Sequence, residues 1–270
     1  MKAEDFVHLH CHSTYSLLQA LPSPEEVVLR AKELGGRGVA LTDIGYTYGL
    51  IEFYQYAQKH GIQPILGMEI LIQEEKAPSP LVLLVETLEG YGNLLQIATA
   101  SALKSGHPPV VTLSTLEHYG RGLVALTGSA EGAIPKAALA ENAAEVRRVT
   151  EQYRSFFGKD NLYFELLDLP SVAGQSETNQ QLIRFGKELA VPLVVGSASR
   201  YCRPEDSEAH DVLLCIQQNA HIEDPNRLSL RDSAFSMRPF VELANAFSSV
   251  PEALENTRVI ADRCDVNIEF

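Results

Sequence analysis

The residues best suited to chemistry are His8, His10 and His12, packed into the run VHLHCH near the N-terminus. Side chains alternate along a strand, so spacing by two predicts all three imidazoles on one face and Val7, Leu9 and Cys11 on the other. Imidazoles arranged that way can converge on one metal ion. Two carboxylates close later apolar runs, Asp43 after VALT and Glu69 after ILGM. Both can join the histidines in a hydrolytic metal site. Asp43 equally suits the bland role of capping a turn or helix. Cys11 reads as a buried small apolar residue. No phosphate-cradling glycine loop and no nucleophile elbow occurs in the sequence.

Groups of this kind act together only if a scaffold brings strand ends to one place. The hydropathy pattern supplies one. Strand signals at 6–12, 38–42, 63–72, 81–86, 122–126, 162–167 and 192–196 alternate with helix signals at 25–34, 50–60, 91–103, 143–157, 179–190 and 204–218. Ser23, Pro24 and Glu26 form an N-terminal capping box, and Gly35-Gly36 stops that helix. A last helix spans 251–264, residues 78–80 and 106–109 read as loops, and 219–250 reads as an irregular excursion. Seven strands, most followed by a helix, predict an α/β fold with a parallel sheet, closed as a barrel in one form. In such a barrel catalytic groups sit at the C-terminal strand ends, where His10 and His12 fall.

Composition limits what the molecule can do. The chain has 270 residues, with 22 Lys and Arg against 35 Asp and Glu, a net charge of −13. That balance makes it a weak binder of naked DNA, because phosphate neutralisation needs a basic surface. Its apolar runs are strand-sized, so no membrane span is expected. The N-terminus lacks a signal peptide's basic and apolar segments, and Cys11, Cys202, Cys215 and Cys264 show no C-x-x-C. Reduced thiols in a cytoplasmic protein are the simplest reading. One domain over residues 1–270 is expected, and its ending soon after a helix suits a domain cut from a longer chain.

Several blocks together resemble PHP domains (polymerase and histidinol phosphatase), most closely the branch at the N-terminus of bacterial replicative DNA polymerase III alpha subunits. These are FVHLHCHSTYSLL (6–18), VALTDIGYTYGLIEFYQYAQKHGIQPILGME (39–69), RPEDSEAHDVLLCIQQNAHIEDPN (203–226) and PEALENTRVIADRCDV (251–266). EGYGNL (89–94) adds a shorter match. The resemblance implies a distorted (β/α)7 barrel whose active members hold metal ions at the mouth and hydrolyse phosphoesters, some as 3′–5′ exonucleases. His10, His12 and Glu69 match the family's ligands. Gln19 stands where the family has an Asp, Ile44 where it has a His, Ala198 for an acid and Arg200 for an imidazole; Leu169 also stands where a His is common. Ile44 and Ala198 cannot bind a metal, Gln19 is a poor neutral substitute, and Arg200 brings a positive charge into the pocket.

The resemblance therefore implies a degraded metal site with no resident cofactor. The alternative is a weak Zn or Mn ion on His10, His12 and Glu69, in a phosphoesterase or 3′–5′ exonuclease with a reduced ligand set. It further implies a structural role inside a DNA-directed DNA polymerase, a nucleotidyltransferase. The expected partners are the remaining polymerase domains and a proofreading exonuclease subunit. Arg200 is expected to pair with Glu69 or another acid in place of the missing metal charge.

Overall fold

The computed structural model describes residues 1–75, 77–103, 109–231 and 234–269. Of the loop expected at 106–109, residues 106–108 lie outside the described residues. Six strands, β1 (Gly38–Leu41), β2 (Gln63–Ile72), β3 (Ser79–Val85), β4 (Leu123–Leu126), β5 (Leu162–Leu167) and β6 (Leu193–Gly196), form one sheet in sequence order. β1–β2, β4–β5 and β5–β6 pair parallel, but β3 runs antiparallel to both β2 and β4. The wholly parallel sheet is thus corrected, and the cause is chain length. Residues 73–78 alone link β2 to β3, whereas a parallel crossover needs a dozen or more residues. Ser79 and Pro80, read as loop, already belong to β3.

Residues 8–12 close the curled sheet as an irregular seventh member. Ala40 N–H donates to His8 O (2.8 Å) and Thr42 N–H to Cys11 O (2.8 Å) on the β1 side. On the other side Ser199 N–H donates to His10 O (3.1 Å) and His12 N–H to Ser199 O (2.9 Å), just beyond β6. Only isolated bridges result, His8 with Val39 and Cys11 with Ser199, because the regular alternation of the segment is interrupted at residues 9 and 10.

The ring's interior is apolar. Val7, Leu9, Ala40, Ile65, Val82, Leu84, Val124, Leu126, Tyr163 and Val194 meet there. Each such fully buried aliphatic side chain contributes roughly 1.5–3 kcal/mol relative to exposure. The closing helix, α10 (Pro251–Arg263), plugs the base with Ile260 and Ala261, followed by Cys264. Arg263 anchors the plug, donating to Glu86 Oε1 from Nε (3.0 Å) and Nη2 (2.8 Å) and to Asp160 O from Nη1 (3.0 Å).

The remaining helices cover the outside: α1 (Pro24–Glu33), α2 (Leu50–His60), α3 (Leu88–Ala102), α4 (Leu113–Tyr119), α5 (Ala133–Leu139), α6 (Ala143–Phe157), α7 (Gln175–Leu189), α8 (Ser207–Gln218) and α9 (Phe240–Ala246). In α1 the Ser23–Glu26 capping box forms as the spacing predicts. The short helices α4 and α5 and the polar first turn of α7 escape the periodicity, and α9 interrupts the stretch read as irregular. Among the described residues no helix is long and apolar enough to cross a membrane.

Candidate metal centre

The alternation that would put three histidines on one face breaks between His8 and His10. Leu9 packs in the ring interior, while the His8 ring lies edge-on to Phe6 at 4.9 Å, outside it, with Nδ1 3.2 Å from Ser197 Oγ. Burial, reinforced by the charge of Arg30, pulls the His8 pKa down to about 3. Residues 9 and 10 make no ladder bridge, and across that interruption the phase shifts. His10 and His12 then both reach inward, with ring centroids 5.0 Å apart, and Cys11 points away into the helix-covered layer. His8 is corrected out of the site.

His10 is held between two carboxylates. Its Nε2 lies 2.8 Å from Glu69 Oε2 and its Nδ1 2.9 Å from Glu165 Oε1, and all three side chains are buried. Burial alone would lower the His10 pKa. The charge and hydrogen bond of Glu165, then those of Glu69, overcome it and raise it to about 10. Burial would raise Glu69, but the His10 hydrogen bond and the positive groups around it bring its pKa down to about 2. His12 is held neutral, chiefly by burial. Its Nε2 has no hydrogen-bond partner and sits 3.6 Å from Glu69 Oε2.

One ion fits this geometry. A donor atom from each of His10, His12 and Glu69 lies within 4.8 Å of the others, and the orphaned His12 Nε2 is a ready ligand. Glu165, on the outer nitrogen of His10, is the carboxylate that orients a ligating imidazole. No motif flagged Glu165. The signal it did leave is an ionisable residue inside LYFELL, a strand buried at every position. Gly196 on the neighbouring strand makes room for it, since a Cβ there would collide with Glu165 Oε1.

The other flagged positions are not donors. Asp43 takes the capping role: Oδ1 accepts from Ser13 N–H (2.6 Å) and Ser16 Oγ (2.7 Å), Oδ2 from Ser13 Oγ (2.7 Å). It thereby pins the loop that follows His12. Ile44 is buried and bridges Glu69 through its backbone. Ala198 and Leu169 pack with Leu167, Tyr201 and Phe235 in an apolar cluster. Gln19, near the end of that loop, accepts at its carbonyl from His210 Nε2 (2.9 Å) and Arg200 Nη1 (3.4 Å). Arg200 is half-buried and its Nε has no partner. It forms no ion pair within 4.0 Å among the described residues, so the direct Arg200–Glu69 pair is absent; its tether to Gln19 holds it aside.

Imidazoles and carboxylates gathered at the C-terminal mouth of a β/α ring can together hold a metal ion. The model of the PHP domain matches residues 8–168, and the chain belongs to that family. DNA polymerase III subunit alpha of Borreliella burgdorferi is 34% identical over 272 residues, covering 96% of this chain and 24% of that protein. The same subunit of Treponema pallidum is 32% identical over 280 residues, covering 99% and 24%. The chain thus spans about a quarter of the length of the curated relatives it matches. Among solved structures, an amidohydrolase from Chromobacterium violaceum superposes with a TM-score of 0.50 at 14% identity, covering 72% of this chain and 87% of that one. At that identity the likeness is one of fold alone.

Proposed function

We propose that the chain is the PHP domain of a bacterial DNA polymerase III alpha subunit in which the metal cluster has been lost and the barrel serves as a brace. The observation that carries this is the composition of the mouth. One side keeps His10, His12 and Glu69, and the other is filled by Leu167, Leu169, Ala198, Tyr201 and Phe235. A multi-metal centre needs anionic and imidazole ligands around its whole rim to offset its charge, and hydrocarbon offers none. The parent chain would be a DNA-directed DNA polymerase working in the cytoplasm. The brace would pack against its other domains and dock a proofreading exonuclease subunit.

The test is elemental analysis of the purified chain, paired with phosphomonoesterase and 3′–5′ exonuclease assays with and without chelator. The expected result is less than one transition-metal ion per chain and no chelator-sensitive turnover. Two or three ions with chelator-sensitive hydrolysis would overturn the reading.

The convergence of three donors, with His12 Nε2 unpartnered, favours a second reading: a phosphoesterase that works with one ion. A divalent ion held by His10, His12 and Glu69 would supply Lewis acidity and a bound water of lowered pKa. Glu165 would keep His10 oriented. One ion per chain together with chelator-sensitive turnover would favour this reading over the first.

A further inference from the structure

We propose that Arg200 is the residue that keeps a divalent cation out of the seat formed by His10, His12 and Glu69, and that removing its charge alone opens that seat. The inference rests on the reading of a metal-depleted barrel. It concerns what maintains the depletion now, in a site that still has three converging donors.

Arg200 differs from the chain's other sheltered arginines. Arg30, Arg154, Arg227, Arg238 and Arg263 each meet a carboxylate at 2.6–3.1 Å, namely Glu33, Glu151, Asp211, Asp168 and Glu86. Arg200 has no such partner within 4.0 Å among the described residues, and its Nε is buried without a hydrogen bond. Its position is nonetheless fixed. Its N–H donates to Phe235 O (2.8 Å), its carbonyl accepts from Leu21 N–H (2.9 Å), and its guanidinium lies over the Phe235 ring at 5.6 Å. Nη1 is tethered to the carbonyl and side-chain oxygens of Gln19 at 3.4 and 3.5 Å. Ser199, one residue earlier, is hydrogen-bonded to the backbones of His10 and His12. The backbone of Arg200 therefore lies one residue from the contact to both histidines, its guanidinium stands at Gln19 without a direct ion pair, and its charge acts on both His12 and Glu69.

Charge counting gives the consequence. A divalent ion on two neutral imidazoles and Glu69, with Glu165 behind His10, makes a pocket of net zero charge. Adding Arg200 leaves it at +1 in a region where little water can screen the excess. The guanidinium cannot deprotonate to relieve this, and its anchored backbone stops it from swinging far. Ile44 and Ala198 only fail to help a metal, whereas Arg200 opposes it. Restoring the lost ligands is then not needed to admit one ion.

The experiment titrates Zn²⁺ into the metal-free full-length chain by calorimetry or by competition with a chromophoric chelator. Arg200→Met keeps the hydrocarbon and removes the charge; Arg200→Lys keeps the charge and removes the planar fork. The expected result is weak binding by the wild type and by Arg200→Lys, and binding tighter by on the order of 30-fold or more in Arg200→Met. His10→Ala in the Arg200→Met background should abolish the gain. Should Arg200→Met misfold by circular dichroism, Arg200→Gln carries the same test. Equal weak binding by the wild type and the uncharged variant overturns the proposal while the metal-depleted reading stands. A gain in Arg200→Lys as large as in Arg200→Met also overturns it, because charge is then not what excludes the ion. Tight Zn²⁺ binding by the wild type removes the metal-depleted reading itself, and this proposal with it.

Discussion

Replacing Asp43 by alanine and by asparagine separates the two roles its place at a strand end allows, ligand or cap. The carboxylate is buried and accepts from Ser13 N–H, Ser13 Oγ and Ser16 Oγ at 2.6–2.7 Å. Hydrogen bonds to a charged group contribute about 1.5–3 kcal/mol each, and burying the charge takes back part of that sum. Burial is the largest influence on this carboxyl and outweighs the serines, so its pKa lies above the usual Asp range. Alanine removes both acceptor oxygens, and with them three hydrogen bonds, and strands a buried N–H, for a loss of about 3–5 kcal/mol. Asparagine can still accept from Ser13 N–H and Ser16 Oγ, while the Ser13 hydroxyl turns to accept from the amide, so the loss should be about 1 kcal/mol. The pH dependence follows from the sign. A carboxyl whose folded pKa is raised contributes stability that is full below its unfolded value and is lost as pH rises through the folded value. Asparagine should therefore compare best with the wild type at neutral pH and worse in mild acid. Urea unfolding followed by circular dichroism at both pH values measures this. If asparagine costs as much as alanine at neutral pH, or changes Zn²⁺ uptake, the charge itself is functional and the capping argument is wrong.

Gly196→Ala should lower stability by about 3 kcal/mol, because the new methyl meets Glu165 Oε1 and displaces the partner of His10; a thermal melt reads this as a shift of roughly 6–12 °C. Arg263→Ala should cost about 2 kcal/mol by loosening the α10 plug from Glu86 and Asp160, and an unchanged denaturation midpoint would deny the plug that role. Asp211 is held below the usual Asp range chiefly by hydrogen bonds from Arg227, so its contribution is present above the unfolded pKa and lost as pH falls through the folded one. Residues 219–231 should then become protease-sensitive below about pH 4, and at neutral pH in Asp211→Asn, before the barrel unfolds. With a net charge of −13, the isolated chain should show no retention of single- or double-stranded DNA at micromolar concentration and physiological salt in a gel-shift assay.

The barrel was legible because its long elements carry strong periodicity. VALT, ILGM and LYFELL are strand-like by themselves, and the helices that follow most of them have caps or glycine stops. The orientation of β3 was not, since side-chain pattern is the same for parallel and antiparallel neighbours and only the short link to β2 decides. His10, His12 and Glu69 could be read because two-residue spacing and strand-end position are local properties. The error over His8 has a definite origin: alternation assumes one continuous ladder, and that of residues 8–12 is interrupted at residues 9 and 10. Glu165 was invisible for the opposite reason. Its strand is apolar on both faces, so nothing in the pattern marks one inward position as polar, and its partner lies 155 residues away.

The same separation frees the rim side chains to vary without loss of the ring. Closure depends on backbone bonds from His8, His10, Cys11 and His12 to β1 and to Ser199, which do not involve the side chains at 44, 169, 198 or 200. Hydrocarbon at three of those positions strengthens packing at the rim, as the cluster of Leu167, Leu169, Ala198, Tyr201 and Phe235 does. His10, Glu69 and Glu165 are in a different situation. They form a buried chain of charge-assisted hydrogen bonds, and truncating His10 at its centre leaves two buried carboxylates without their partner, at a cost of about 3–5 kcal/mol. Stability alone thus favours His10, Glu69 and Glu165 whether or not the site is catalytic. The presence of His10 and Glu69 is consequently weak support for hydrolysis, an argument that does not extend to the unpartnered His12. The identity of position 200 says more, because under the proposed reading its positive charge opposes a bound cation while leaving the closure of the ring untouched.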